Sequence, residues 1–167
     1  MNHRSRREFL KSSLGTAAVA WSGAARPARG AQSTTQRPAR IRFAAIGLNH
    51  GHINGQVETV MRGGGQLVSF YAKEPDLTAA FTKRFPSATL ARSEREILED
   101  PSIQMIVSAS IPSERAPLGI AAMQHGKDFM VDKPAATTLE QLAELRRVQA
   151  RTKRIFSVQN ARRLSRT

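Results

Sequence analysis

The residues best placed to do chemistry stand in one turn, "GLNHGH", Gly47 to His52. Six mostly apolar residues, "IRFAAI", run directly into it. A strand-to-helix turn of this kind presents backbone N–H groups at the positive end of a helix, where a phosphate is held without any side chain. Against the dinucleotide fingerprint G-x-G-x-x-G, Gly47 fills the first position, Asn49 the second and His52 the third, so only the first glycine is kept. Asn tolerates left-handed backbone angles better than most residues, and Gly51 lets a ligand approach the main chain closely. His50 and His52 add a second chemistry, because imidazole is a common metal ligand. With no Cys in the chain and no acidic cluster paired with the two histidines, a metal site is the less favoured reading. The turn is then a phosphate site or a tight connector, with His52 packed or hydrogen-bonded beside it.

A dinucleotide also needs a group for its adenosine ribose, and an acid usually stands at the end of the second strand. Here "FYAKEPD" offers Ala72, Lys73 and Glu74. Glu74 suits a ribose 2'-hydroxyl, Lys73 suits a 2'-phosphate, and either serves as a solvated loop charge, so NAD and NADP both stay open. Ser110, Ile111 and Pro112 close the fourth strand, where a dinucleotide crosses such a sheet, although an ordinary strand exit explains them equally well. Asp132, Lys133 and Pro134 follow the fifth strand. On spacing alone that Lys-Pro is a plain turn.

The elements that must position these residues alternate along the chain. "IRFAAI" reads as a buried strand and Gly51 to Met61 as a helix, closed by Gly63-Gly64-Gly65. "QLVSFYA" is a second strand, and "PDLTAAFTKRF" a helix with Pro at its first position. "ATLA" is a short third strand, followed by "SEREILED", in which Ser93 and Glu96 have capping-box spacing. "IQMIVSAS" is the fourth strand, and a helix runs from Pro112 to His125 with Gly126 as its stop. "DFMV" is the fifth strand. "TLEQLAELRRVQART" is a helix with Thr137 and Glu140 as a second capping box, and "RIFSV" is a candidate sixth strand. Parallel neighbours need helical crossovers, so this alternation predicts an α/β fold with a doubly wound parallel sheet of Rossmann type.

The formal charge of +13 sits at the ends. Residues 1 to 40 hold eight Lys or Arg against Glu8 alone, residues 146 to 167 hold eight with no acid, and residues 41 to 145 hold ten against twelve. A near-neutral body without a basic face interleaved with aromatics argues against a nucleic-acid partner. The N-terminal charge belongs to a leader: "SRREFLK" precedes "SSLGTAAVAWSGAA" and then "RPARG", the order of an export signal peptide. Its 14 apolar-run residues span roughly 21 Å at about 1.5 Å each, short of the ~30 Å hydrocarbon core, so contact with the membrane is expected only during export. Arg6 and Arg7 before Phe9, Leu10 and Lys11 resemble a twin-arginine signal, which implies transport of a folded protein to the periplasm or another extracytoplasmic space. Residues 1–30 are assigned to the leader, with cleavage after Gly30 one option, and 31–40 to a linker.

"GKDFMVDKPAATTLEQLAEL", Gly126 to Leu145, resembles the "GKhVhxEKPhAxT" segment of the Gfo/Idh/MocA oxidoreductases. "GLNHGHI" and "DPSIQMIVSASIP" are similar to a subgroup whose turn carries His where others carry Gly or Ala. The resemblance covers about Ile41 to Val158 and implies an NAD- or NADP-binding domain over residues 41–158. It also implies hydride transfer at a hydroxyl-bearing carbon of a sugar or polyol, and it leaves room for a homo-oligomer. It implies that Lys133 sits near the nicotinamide and the reacting oxygen, assisting proton transfer, with Asp132 in place of the usual Glu and Pro134 fixing the loop. A methyltransferase on the same sheet is disfavoured by the Asp132-Lys133-Pro134 segment.

Family members continue into a second α/β domain that shapes the substrate pocket. "SVQNARRLSRT" lacks the apolar pattern to begin it, so that domain is expected to be absent here and the basic tail, 159–167, to reflect truncation or a frameshift near Ser157 to Asn160. Such a piece is expected to expose apolar surface and to be marginally soluble. Two functions follow: the cofactor half of an exported oxidoreductase, or a non-catalytic remnant that binds dinucleotide or nothing.

Overall fold

The apolar residues of "IRFAAI" alternate between two faces of one strand, and this alternation builds the molecule. Phe43 and Ala45 enter one core cluster while Ala44 and Ile46 enter another, so the strand is buried on both sides. A computed structural model describes residues 40–159; apart from Arg40 and Gln159, the leader, linker and basic tail expected from the sequence lie outside them.

Among the described residues six strands and five helices follow in strict alternation. They are β1 (Ile41–Ile46), α1 (His52–Arg62), β2 (Gly65–Tyr71), α2 (Pro75–Arg84), β3 (Thr89–Leu90), α3 (Glu94–Glu99), β4 (Met105–Ser108), α4 (Pro112–Gln124), β5 (Asp128–Asp132), α5 (Leu139–Thr152) and β6 (Phe156–Gln159). The strands form one sheet in the order β3-β2-β1-β4-β5-β6, and every pairing is parallel. The order reverses between β1 and β4. That reversal opens a crevice at the carboxyl ends of these two strands, the place where ligands bind in open α/β sheets. The doubly wound sheet expected from the sequence is therefore present.

Val57 of α1 and Phe81 of α2 pack with Phe43, Leu67 and Phe70 on one face. Ile97 of α3 and Leu118 of α4 pack with Ala44, Ile106 and Phe129 on the other. Each fully buried side chain of this size contributes roughly 1.5–3 kcal/mol by leaving water. α4 lies close on β5 because Gly119 has no side chain: a Cβ there would stand 2.9 Å from the Phe129 ring. Leu145 and Val148 of α5 close a third cluster against Ala116 and Met123 of α4.

Two local expectations shift. The cap of α5 is Thr138, whose Oγ accepts from Gln141 N–H at 3.2 Å, and not Thr137 paired with Glu140. Thr137 instead donates from its N–H and its hydroxyl to Gln141 Oε1, at 2.9 and 3.0 Å. With two adjacent threonines, both registers satisfy the capping spacing, and the helix starts at Leu139 because Thr138 takes the extended backbone. Ser93 caps α3 as expected, accepting from Glu96 N–H at 3.2 Å, but Glu96 reaches back to Arg92 N–H at 3.0 Å.

Candidate functional site

Gly47 is the hinge of the crevice. Its N–H donates to Tyr71 O of β2 at 3.0 Å and its carbonyl accepts from Ala109 N–H, just past β4, at 3.1 Å, so the turn is stitched to both sides of the switch point. Its backbone is left-handed at φ +74, and a Cβ would stand 2.5 Å from Ser110 Cβ. Glycine is required there by conformation and by space alike. His50 N–H donates to Ala109 O at 3.0 Å, which turns the chain into α1. Gly51 stands at the helix N-cap with open space around it, and the first N–H groups of α1 have no partner within the helix.

Asn49 contributes differently from its expected role. Its backbone is not left-handed; instead its side chain leaves the turn and donates from Nδ2 to Glu74 Oε1 at 2.7 Å. Gly47, Asn49, Glu74 and Ser110 thus line a cleft of about 420 Å³ between the ends of β1 and β2 and the start of α4. Ser110 is buried at its wall, accepting from Ser108 Oγ at 3.2 Å. Gly51, His52 and Asp132 line a separate cleft of about 300 Å³ on the α1 side. Pro112 is the first residue of α4 and is exposed. Lys133 is also exposed, on a loop held by its own N–H donating to Asp132 Oδ1 at 2.9 Å, and its peptide bond to Pro134 is cis.

The two histidines do have an acidic partner, contrary to the reading of the local sequence. His52 Nδ1 lies 3.1 Å and His50 Nδ1 3.8 Å from Oδ2 of Asp132, and the two rings are 4.4 Å apart. The three ligand atoms lie within 4.8 Å of one another. The surroundings nevertheless favour an anion over a metal cation. The guanidinium of Arg115 approaches the same Oδ2 to 3.6 Å, and the positive end of α1 begins at His52. A divalent ion would add to positive charge already gathered there, whereas His52 bonds the carboxylate without it and His50, at 3.8 Å, packs beside His52 beyond hydrogen-bond reach.

Arg115 and Gln56 went unmarked in the sequence, and both are buried. Arg115 donates from Nε to Ser110 O at 2.7 Å and from a terminal nitrogen to Pro134 O at 3.3 Å, tying the end of β4 to the Lys133 loop. Burial pushes its pKa below the ordinary arginine value and Asp132 pulls it back up. The Gln56 amide, in the orientation that satisfies both its groups, donates to Ser108 O at 3.2 Å and accepts from Asp132 N–H at 3.1 Å. The only signal for Arg115 was a charge within the otherwise apolar stretch "RAPLGIAAM". Gln56 gave none.

The crevice, the left-handed glycine and the loop beside it agree with the comparisons. The model of the oxidoreductase family with an NAD-binding Rossmann fold, Gfo/Idh/MocA, matches residues 41–160. The Escherichia coli K12 oxidoreductase YdgJ is 34% identical over 79 residues, 47% of this chain and 23% of YdgJ. An oxidoreductase structure from Erwinia carotovora atroseptica is 42% identical with a TM-score of 0.70, covering 71% of this chain and 36% of that one. A biliverdin reductase from Synechocystis, solved with biliverdin and NADP+, is 25% identical with a TM-score of 0.65, covering 74% of this chain and 39% of its own. The chain thus spans well under half the length of these relatives. It belongs to the Gfo/Idh/MocA family of oxidoreductases, and residues 41–160 are the family's NAD-binding Rossmann domain.

Proposed function

We propose that this domain is the cofactor half of an exported NAD(P)-dependent oxidoreductase acting on a hydroxyl-bearing carbon of a sugar or polyol. The observation that carries the reading is Gly47: left-handed, pressed against Ser110 and joined to both β2 and β4 at the switch point. A side chain there would collide with Ser110 and force the turn away from the end of β4. Gly47, Asn49, His50, Gly51 and His52 hold the phosphates, Ser110 and Pro112 border the crossing of the sheet, and Asp132, Lys133 and Pro134 form the nicotinamide end. The nicotinamide ring, when bound, accepts or returns the hydride.

Lys133 does the protein's share of the chemistry. Its ammonium polarises the substrate oxygen and exchanges a proton with it at Nζ. Arg115, bonded to the carbonyls of Ser110 and Pro134, holds the Lys133 loop against β4. Calorimetric titration of the chain with NAD+ and NADP+, followed by nicotinamide absorbance on a panel of sugars and polyols with the family's second domain joined to it, tests the reading. Binding with turnover that Lys133→Met abolishes supports it; binding without turnover leaves only a dinucleotide-binding module, and binding of neither cofactor overturns it.

The export part rests on "SRREFLK" and the apolar run after it. Replacing Arg6 and Arg7 by Lys is expected to hold the protein in the cytoplasm on cell fractionation. Unchanged extracytoplasmic delivery of that variant would sink this part.

A further inference from the structure

We propose that Glu114 selects the cofactor: by pairing with Lys73 it sets the adenosine end of the cleft against a 2'-phosphate, so the chain takes NAD(H) in preference to NADP(H). The inference rests on the dinucleotide reading above and deepens it.

In a sheet of this order the adenosine ribose lies outside the end of the second strand. Here that place is the cleft bordered by Ala72, Lys73 and Glu74 after β2 and by Glu114 in the first turn of α4. Among the described residues Lys73 is the one cation lining the cleft, and it is the residue that by itself would invite a 2'-phosphate. Its charge is already matched: Nζ donates to Glu114 Oε1 at 2.8 Å, across 41 residues of sequence. Glu74, at the strand end, is aimed by the 2.7 Å hydrogen bond from Asn49 of the phosphate turn.

Glu94, at the start of α3, is the third carboxylate on the cleft. Burial raises its pKa above the ordinary value, and the field of Glu114 adds to this against the pull of Lys73, so Glu114 is felt across the cleft. Three carboxylates therefore face one ammonium. A 2'-phosphate brings about −1.5 to −2 charge at neutral pH, and it must either break the Lys73–Glu114 pair or settle among like charges. A 2'-hydroxyl carries no charge and finds Glu74 as an acceptor. The side chains of Lys73 and Glu114 are 64% and 42% exposed, so their pairing bears on selection and not on the fold.

The test is calorimetric titration of the chain and its Glu114→Gln variant with NAD+ and NADP+, the fold checked by circular dichroism. The wild type is expected to bind NAD+ about tenfold more tightly than NADP+. Glu114→Gln is expected to tighten NADP+ at least about fivefold, far more than it changes NAD+, with a gain that shrinks as salt rises and that Lys73→Ala removes. Equal or tighter NADP+ binding by the wild type, or a ratio unmoved by Glu114→Gln, overturns the proposal while leaving the dinucleotide site standing. Binding of neither cofactor by the wild type overturns that site and this proposal with it.

Discussion

His52 Nδ1 stands 3.1 Å from Asp132 Oδ2, although 80 residues separate the two in sequence. Because a carboxylate only accepts, Nδ1–H is the donor in this contact. The same carboxylate oxygen faces Arg115, and the other oxygen accepts from Lys133 N–H at 2.9 Å. One buried acid thereby holds together the start of α1, the first turn of α4 and the loop that carries Lys133. The helix N-terminus proposed to hold the phosphates and the lysine proposed to move the proton share a single anchor.

That anchor predicts strong coupling. Arg115 and Asp132 are almost wholly buried, so Arg115→Met, which leaves the carboxylate without its permanent cation, is expected to cost about 3–5 kcal/mol. Asp132→Asn strands the guanidinium and is expected to be costly as well. The double variant should cost less than the sum, because neither charge is then left alone. Urea unfolding of the four proteins measures this, and strictly additive losses would show that the pair is not coupled.

Gly47→Ala asks the turn for two things it lacks. A non-glycine residue at φ +74 costs roughly 1–3 kcal/mol, and the new methyl meets Ser110 Cβ at 2.5 Å. The variant is expected to unfold at clearly lower temperature and to lose measurable affinity for either nicotinamide cofactor. A Tm and a Kd close to wild type would remove Gly47 from the site.

What the sequence made legible was local or periodic. The alternation of apolar runs with helical spacing in "IRFAAI" and "TLEQLAELRRVQART" gave the parallel sheet, and Gly47 after a strand gave the switch point. Contacts made by the topology were illegible, because no local pattern announces them. Asp132 reaches the histidines only when β5 is laid beside β4 and α1 crosses above, and Glu114 meets Lys73 only when the start of α4 faces the end of β2. Arg115 and Gln56 were missed for the same reason: their partners are the Asp132 carboxylate and backbone groups at or just past the ends of β4 and β5. Thr138 fell between these cases, since an adjacent Thr made two registers equally good on paper.

The register of that cap is open to measurement. Thr138→Ala removes the acceptor for Gln141 N–H and is expected to cost about 1 kcal/mol, as other helix caps do. Thr137→Ala keeps the backbone N–H that donates to Gln141 Oε1 and loses only the hydroxyl, so its cost should be smaller, about 0.5 kcal/mol. Chemical unfolding of the two variants decides. A larger loss at Thr137 would restore the earlier register.

Glu94 gives the protein a pH-dependent weakness. Burial raises its folded-state pKa above the usual 4.5, Lys73 counters this, and Glu114 adds to it. A carboxyl whose pKa is raised on folding binds its proton more tightly in the folded state. Its contribution to stability is therefore fully present below about pH 4.5 and is lost as pH rises through the folded pKa. Glu94→Gln removes the titration. The variant is expected to be more stable than wild type at pH 7, with the difference closing as pH is lowered below the ordinary carboxylate value. Unfolding curves for both proteins from pH 4 to 8 test the sign: a Glu94→Gln variant less stable than wild type at neutral pH would show that the charge of Glu94 at the start of α3, beside Lys73, outweighs the cost of its burial.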